Sequence, residues 1–150
     1  QTNHELEPII RHGEPPAILR FEDVKQEILG IFSIISSFKK SGYTSLGIVC
    51  KTETQARELS ESLRVHTGDI HFLSNQNSAF MKGIIVTSSH MAKGLEFDEV
   101  IVPYVNGKNY NSAIDKSMLY VAVTRAMHRL ALTYNGRPSE FIPASSDQNF

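Results

Sequence analysis

One cysteine, Cys50, is all the thiol this chain has. It excludes an internal disulfide and a paired-cysteine metal site, and it suits a reducing, cytoplasmic setting. Excess charge of one sign is missing too: 15 Lys and Arg face 16 Asp and Glu, for a net charge of −1. The domain as a whole is therefore no cationic sponge, and a grip on nucleic acid has to come from a local patch or from a larger protein. No apolar run approaches the ~18 residues of a membrane span, so no membrane partner is expected. The opening "QTNHELEPII" lacks the basic-then-apolar order of a signal peptide and an initiating methionine, as expected of a trimmed chain or an excised domain. A phosphate-cradling loop, G-x-x-x-x-G-K-[ST], is absent as well. The Gly107-Lys108 pair has Val102 where the first glycine belongs and Asn109 where Ser or Thr belongs. Asp98 and Glu99 precede an apolar run and so lie at a strand's N-terminal end, the wrong edge for phosphate–Mg²⁺ chemistry. Alone, the chain has no evident means of hydrolysing a nucleotide.

What remains is an ordinary globular composition, 41% hydrophobic and 21% charged in 150 residues, enough for one domain with a core. Residues 1–16 read as an extended entry segment, 17–142 as the folded domain and 143–150 as a frayed tail. "AILRF" (17–21) predicts a strand. Asp23 with Gln26 opens a helix over 23–41, with Val24, Ile28, Ile31, Ile35 and Phe38 at helical spacing. Gly30 within it costs about 1 kcal/mol against alanine. "LGIVCK" (46–51) is a buried strand, and Thr52 with Gln55 forms a capping box before Ala56, Leu59 and Leu63. Strands are expected at 69–73, 83–87, 98–104 and 129–134, a loop at 74–80, and a helix at 113–127. Alternating strands and helices imply a mostly parallel sheet flanked by helices on both faces. Sites in such sheets lie at the strand C-termini, where Thr87 and the turn after it fall.

Two stretches carry chemistry. In "TSSHMAKGLEFDEVIVP" (87–103) a strand ends in hydroxyls, followed by His90, Lys93, a conformationally free Gly94 and Glu96. Hydroxyls, an imidazole and backbone N–H groups suit a phosphodiester, and a carboxylate accepts from ribose hydroxyls. A solvated polar turn with a glycine cap accounts for the same residues. In "VAVTRAMHRLALTY" (121–134), Ile114, Met118, Val121, Ala122 and Arg125 share a helical face, read as pointing inward with the arginine at its end. That cation either snorkels to the helix's own carbonyls or is aimed at a phosphate bound elsewhere. Thr124 either braces the backbone or lends a hydroxyl. His128 and Arg129 read as an ordinary basic cap. Tyr104 and Tyr110 are loop aromatics on which bases could stack.

"HMAKGLEFDEV" (90–100) and "LYVAVTRAMHRL" (119–130) resemble the fifth and sixth motifs of UvrD/Rep-type superfamily 1 DNA helicases, in the family's order. "GIVCKTETQARELSESL" (47–63) resembles the strand and helix that open their second, C-terminal RecA-like lobe. The resemblance spans about 46–135. It implies an α/β RecA-like domain, of the P-loop NTPase type but without its own phosphate loop, and part of an ATP-dependent helicase or translocase. ATP with Mg²⁺ would sit at the interface with the missing N-terminal lobe of the same chain. By carry-over Arg125 is the arginine finger, Glu96 holds the ribose, Gly94 lets backbone approach the nucleotide, and Ser88 and His90 contact single-stranded DNA. This fragment alone would be inactive. The branch it most resembles includes RNA-polymerase-associated helicase-like proteins, so an ATP-driven remodeller with RNA polymerase as partner is the alternative. Two departures stand out: Ser88 replaces the family's usual threonine, and "DKSML" (115–119) lacks the arginines often found there.

Overall fold

In the strand Ser45–Cys50 every residue is buried, as expected of a strand covered on both faces. It lies inside the sheet of a computed structural model that describes residues 14–75 and 82–142. Most of the expected entry segment, residues 76–80 of the expected loop and the expected tail fall outside the described residues. The strands are β1 (Ala17–Phe21), β2 (Ser45–Cys50), β3 (Ile70–Phe72), β4 (Gly83–Ser88), β5 (Phe97–Val102) and β6 (Ala126–Asn135). They form one six-stranded sheet in the order β1-β6-β5-β2-β4-β3, and every pairing is parallel. Helices α1 (Val24–Lys39) and α2 (Glu53–Arg64) cover one face, and α3 (Ser89–Ala92) and α4 (Ala113–Val123) the other.

Local signals start the helices as read. Asp23 Oδ1 accepts from the Gln26 N–H at 2.8 Å, and Thr52 with Gln55 closes a reciprocal capping box. A second box, Ser112 with Asp115, opens α4. The cost of Gly30 has a packing reason: a Cβ there would fall 2.2 Å from the Phe21 ring, so glycine lets β1 and α1 close together. Buried leucines such as Leu59 and Leu119 contribute on the order of 2 kcal/mol each. Among the described residues no helix is long and apolar enough to cross a membrane.

Two helices differ from the sequence expectation. The inward face of α1 is Glu27, Ile31, Ile35 and Phe38, whereas Val24 is 51% exposed. Helix α4 ends at Val123, not 127, because Thr124 and Arg125 fold their N–H groups back to Tyr120 and Ala122 and the chain turns into β6. Its inward face is Asp115, Leu119, Ala122 and Val123. The stripe Ile114, Met118 and Val121 therefore does not point into the core, and Ile114 is 71% exposed.

Candidate functional site

Arg125 leaves α4 just before β6, and Gly94–Glu96 lead directly into β5. These strands are parallel neighbours, so both segments lie at the N-terminal edge of the sheet, joined by the Phe97 N–H donating to the Arg125 carbonyl at 2.9 Å. The expected C-terminal edge is thus the wrong place for Gly94, Glu96 and Arg125, although Ser88 does sit there, at the end of β4. The reason is the crossover: α3 and the segment after it carry the chain from one edge to the other.

The partly buried Arg125 guanidinium is held by neutral oxygens. Nε donates to the Val121 carbonyl at 3.1 Å, Nη1 to the Leu95 carbonyl at 3.2 Å and Nη2 to Thr124 Oγ1 at 3.3 Å. Among the described residues no carboxylate pairs with it. Three of the five N–H groups are used, which leaves one on each terminal nitrogen and the full charge. Thr124 acts as the brace: its hydroxyl faces the Tyr120 and Val121 carbonyls at 2.9 and 3.0 Å while receiving Arg125. Gly94 takes φ +82° with open space where a Cβ would point, so the turn requires the left-handed conformation. Glu96 is exposed beside it.

A groove of about 300 Å³ separates α3 from α4. His90 and Lys93 line one side, and Ile114, Ser117, Met118 and Val121 the other. The stripe that fails to enter the core is the wall of this groove. His90 is exposed; Ser88 is buried, and its hydroxyl caps α3 by accepting the Met91 N–H at 3.3 Å. Thr87 is buried and ties β4 to the Leu73 carbonyl. Tyr110 is 1% exposed, which removes it as a stacking surface, and Tyr104 is partly buried.

Around this site the sheet edges are fixed by carboxylates: Glu27, which sequence reasoning missed, and Asp98, which it placed at the N-terminal end of its strand. Glu27, fully buried, accepts from the Tyr104 N–H, the Thr133 hydroxyl and the Asn135 amide at 2.9, 2.7 and 2.7 Å. It thereby holds Tyr104 at φ +63°, an unusual conformation for a bulky residue. At the other edge Asp98 accepts from the N–H groups of Thr44 and Ser45. Arg129 is more than a basic cap: a bulge in β6 lets it lie over the Tyr43 ring and within 3.8 Å of buried Glu99. Burial raises the Glu99 pKa more than Arg129 lowers it. Among the described residues no group of His, Cys, Asp and Glu could hold a metal ion.

Asp115 pairs with Lys51 at 2.8 Å and links α4 to the end of β2. Burial opposes its charge, but the Asn111 N–H, the Lys51 ammonium and the Ser112 N–H outweigh it and hold the pKa down to about 2, from 3.8. A depressed folded-state pKa stabilises above the unfolded value and is lost as pH falls through the folded one. Stability is therefore expected to drop by about 2 kcal/mol between pH 3.8 and about 2 through this group. In Asp115→Asn, urea titrations across that window should show the drop reduced by this amount; an unchanged acid limb would refute the assignment.

Residues 83–133 match the UvrD-like helicase C-terminal domain. That span contains Gly94, Glu96 and Arg125, and over it the chain is similar to the C-terminal domain of UvrD-like helicases. The C-terminal domain of a possible DNA helicase from Lactobacillus plantarum WCFS1 has the same fold. It aligns with a TM-score of 0.77 and 26% identity over 86% of this chain and 79% of that one. Arterivirus nonstructural protein 10, a helicase, was solved alone and in complex with DNA. It aligns with TM-scores of 0.55 and 0.54 at 14% and 16% identity, a likeness of fold. These matches cover 87% of this chain but 31% of the viral chains. No curated protein matches it in sequence.

Proposed function

We propose that this domain is the second RecA-like lobe of an ATP-dependent, single-stranded-DNA helicase or translocase of superfamily 1. The carrying observation is Arg125, oriented by three neutral oxygens beside Gly94–Glu96 with two N–H groups and its charge uncommitted. Such a latch suits a phosphate arriving from outside the domain, since a carboxylate partner would have cancelled the charge. The exposed side of α4, with Ile114 71% and Tyr120 53% exposed, is the surface on which the N-terminal motor lobe of the same protein would close.

ATP with Mg²⁺, bound at that closure, supplies the phosphoryl group whose transfer drives the motor. This chain's residues then have separate tasks. Arg125 stabilises charge developing on the phosphoryl oxygens. Glu96 accepts from ribose hydroxyls, and Gly94 keeps the turn open to the nucleotide. At the opposite edge His90 contacts the DNA strand. Ser88, whose oxygen caps α3, has its O–H proton left for the same backbone. Loop 93–96 thus joins a strand-facing α3 to a nucleotide-facing arginine, a short mechanical route between the two ligands.

The test is ATP turnover by the full-length protein with and without single-stranded DNA. Stimulation of tenfold or more, lost in His90→Ala with basal turnover kept, is the expected result. Turnover indifferent to DNA would overturn the motor reading.

A further inference from the structure

One concavity among the described residues plays no part in the site above. It measures about 510 Å³, within the ~300–1,000 Å³ of ligand clefts, and lies between the loops that follow β5 and β6. It therefore shares the sheet edge with Ser88. Between the ends of β4 and β6 lie β2 and β5, three strand spacings or roughly 14 Å. About four stacked nucleotides at ~3.4 Å each would cover that distance.

The lining has an unusual balance. Lys108 and Arg137 are exposed, and among the described residues neither pairs with a carboxylate. Three asparagines are each anchored at one end of the amide. Asn111 and Asn135 spend Nδ2, on the Gly107 and Lys108 carbonyls and on Glu27, which leaves their amide oxygens. Asn106 spends Oδ1 on the Lys108 and Asn109 N–H groups, which leaves its Nδ2. Glu140 completes the rim. A site for a bare phosphate would carry donors alone. Cations combined with fixed acceptors and a fixed donor match a nucleotide, which offers an anion and a base edge together.

The site is also preformed. The Gly107 N–H donates to the Arg137 carbonyl and the Ser139 N–H to the Val105 carbonyl, and Asn106 bridges to Pro138. Ligand binding would thus order little of the backbone.

We propose that this concavity is a nucleotide subsite on the path of a single DNA strand. Phosphates meet Lys108 and Arg137, and an amino-bearing base meets the amide oxygens of Asn111 and Asn135. The inference rests on the strand-binding part of the proposed function and adds a chemical preference to it. Cytosine and adenine present exocyclic amino donors, whereas thymine presents carbonyl acceptors and a single imino N–H.

The test is fluorescence polarisation with labelled oligo(dC) and oligo(dT) on the full-length protein. Wild type should bind oligo(dC) about fivefold or more tightly. Lys108→Ala/Arg137→Ala should weaken both by about tenfold and lower the slope of log K against log salt by about 0.7 per cation. Asn111→Ala should erase the base preference. That residue also ties the 107–108 turn, so the exposed Lys108/Arg137 pair carries the affinity arm. If the double variant binds like wild type while His90→Ala weakens binding, the subsite falls and the motor reading stands. Equal affinity of wild type for both oligomers also overturns the subsite. Failure of wild type to bind either strand overturns the strand-binding reading and the subsite with it.

Discussion

Replacing Arg125 by alanine in the full-length protein is expected to abolish ATP turnover, lowering kcat by about 10³-fold or more, while nucleotide binding survives. The size follows from where the charge acts. A guanidinium aimed at phosphoryl oxygens helps chiefly as their charge redistributes in the transition state, so its loss is felt in kcat more than in affinity. The local fold should tolerate the change. Arg125 lies past the end of α4, and its lost bonds run to carbonyls of Val121 and Leu95 and to the Thr124 hydroxyl. The two carbonyls are partly exposed neighbours, so the cost is about 1–2 kcal/mol. Arg125→Lys should recover little, because an ammonium cannot keep three latch bonds and still present two donors. Steady-state hydrolysis, fluorescent-nucleotide binding and thermal unfolding on the same variants separate the effects. Turnover within threefold of wild type would end the arginine-finger assignment and return Arg125 to a helix-capping role.

Glu27→Leu is expected to be the most destabilising single change in the domain, by roughly 3–5 kcal/mol. The carboxylate is fully buried and accepts three hydrogen bonds from residues 77, 106 and 108 positions away. Leucine would strand the Tyr104 N–H, the Thr133 hydroxyl and the Asn135 amide, and release Tyr104 from its positive φ. Such a loss is a large part of the ~5–15 kcal/mol that holds a domain together. Glu27→Gln keeps one acceptor but turns an NH₂ toward donors, so it should recover only part of the loss. Urea midpoints would read both changes; a loss under 1 kcal/mol for Glu27→Leu would show that these bonds are replaced by water.

Where a signal depends on nearest neighbours, the sequence was readable. The helix starts at Asp23 and Thr52 and the strands 17–21 and 83–87 were foreseen within a residue or two, whereas the Ser112 box was not. Helix α4 was read four residues too long because "VAVTRAM" stays apolar across its end. There a cap built from backbone geometry, not from composition, stops the helix. Glu27 was passed over for a related reason. Its helix carries an apolar stripe beside it, and a lone carboxylate at a core spacing looks solvated until three distant donors arrive. The groove wall of Ile114, Met118 and Val121 was identified as one face, but on α4 the side that touches the sheet is set by Leu119, Ala122 and Val123.

From the chain alone came the alternation that makes a parallel sheet, the missing phosphate loop and the two motifs that resemble those of UvrD-type helicases. These are properties of spacing and residue kind, and they survive without coordinates. Tertiary structure alone decided which edge each motif occupies, because a crossover of a few residues moves Gly94–Glu96 across the sheet to meet Arg125. It likewise decided the company of Glu27 and the asparagine-lined concavity, since parallel strands bring together loops whose residues lie far apart in sequence.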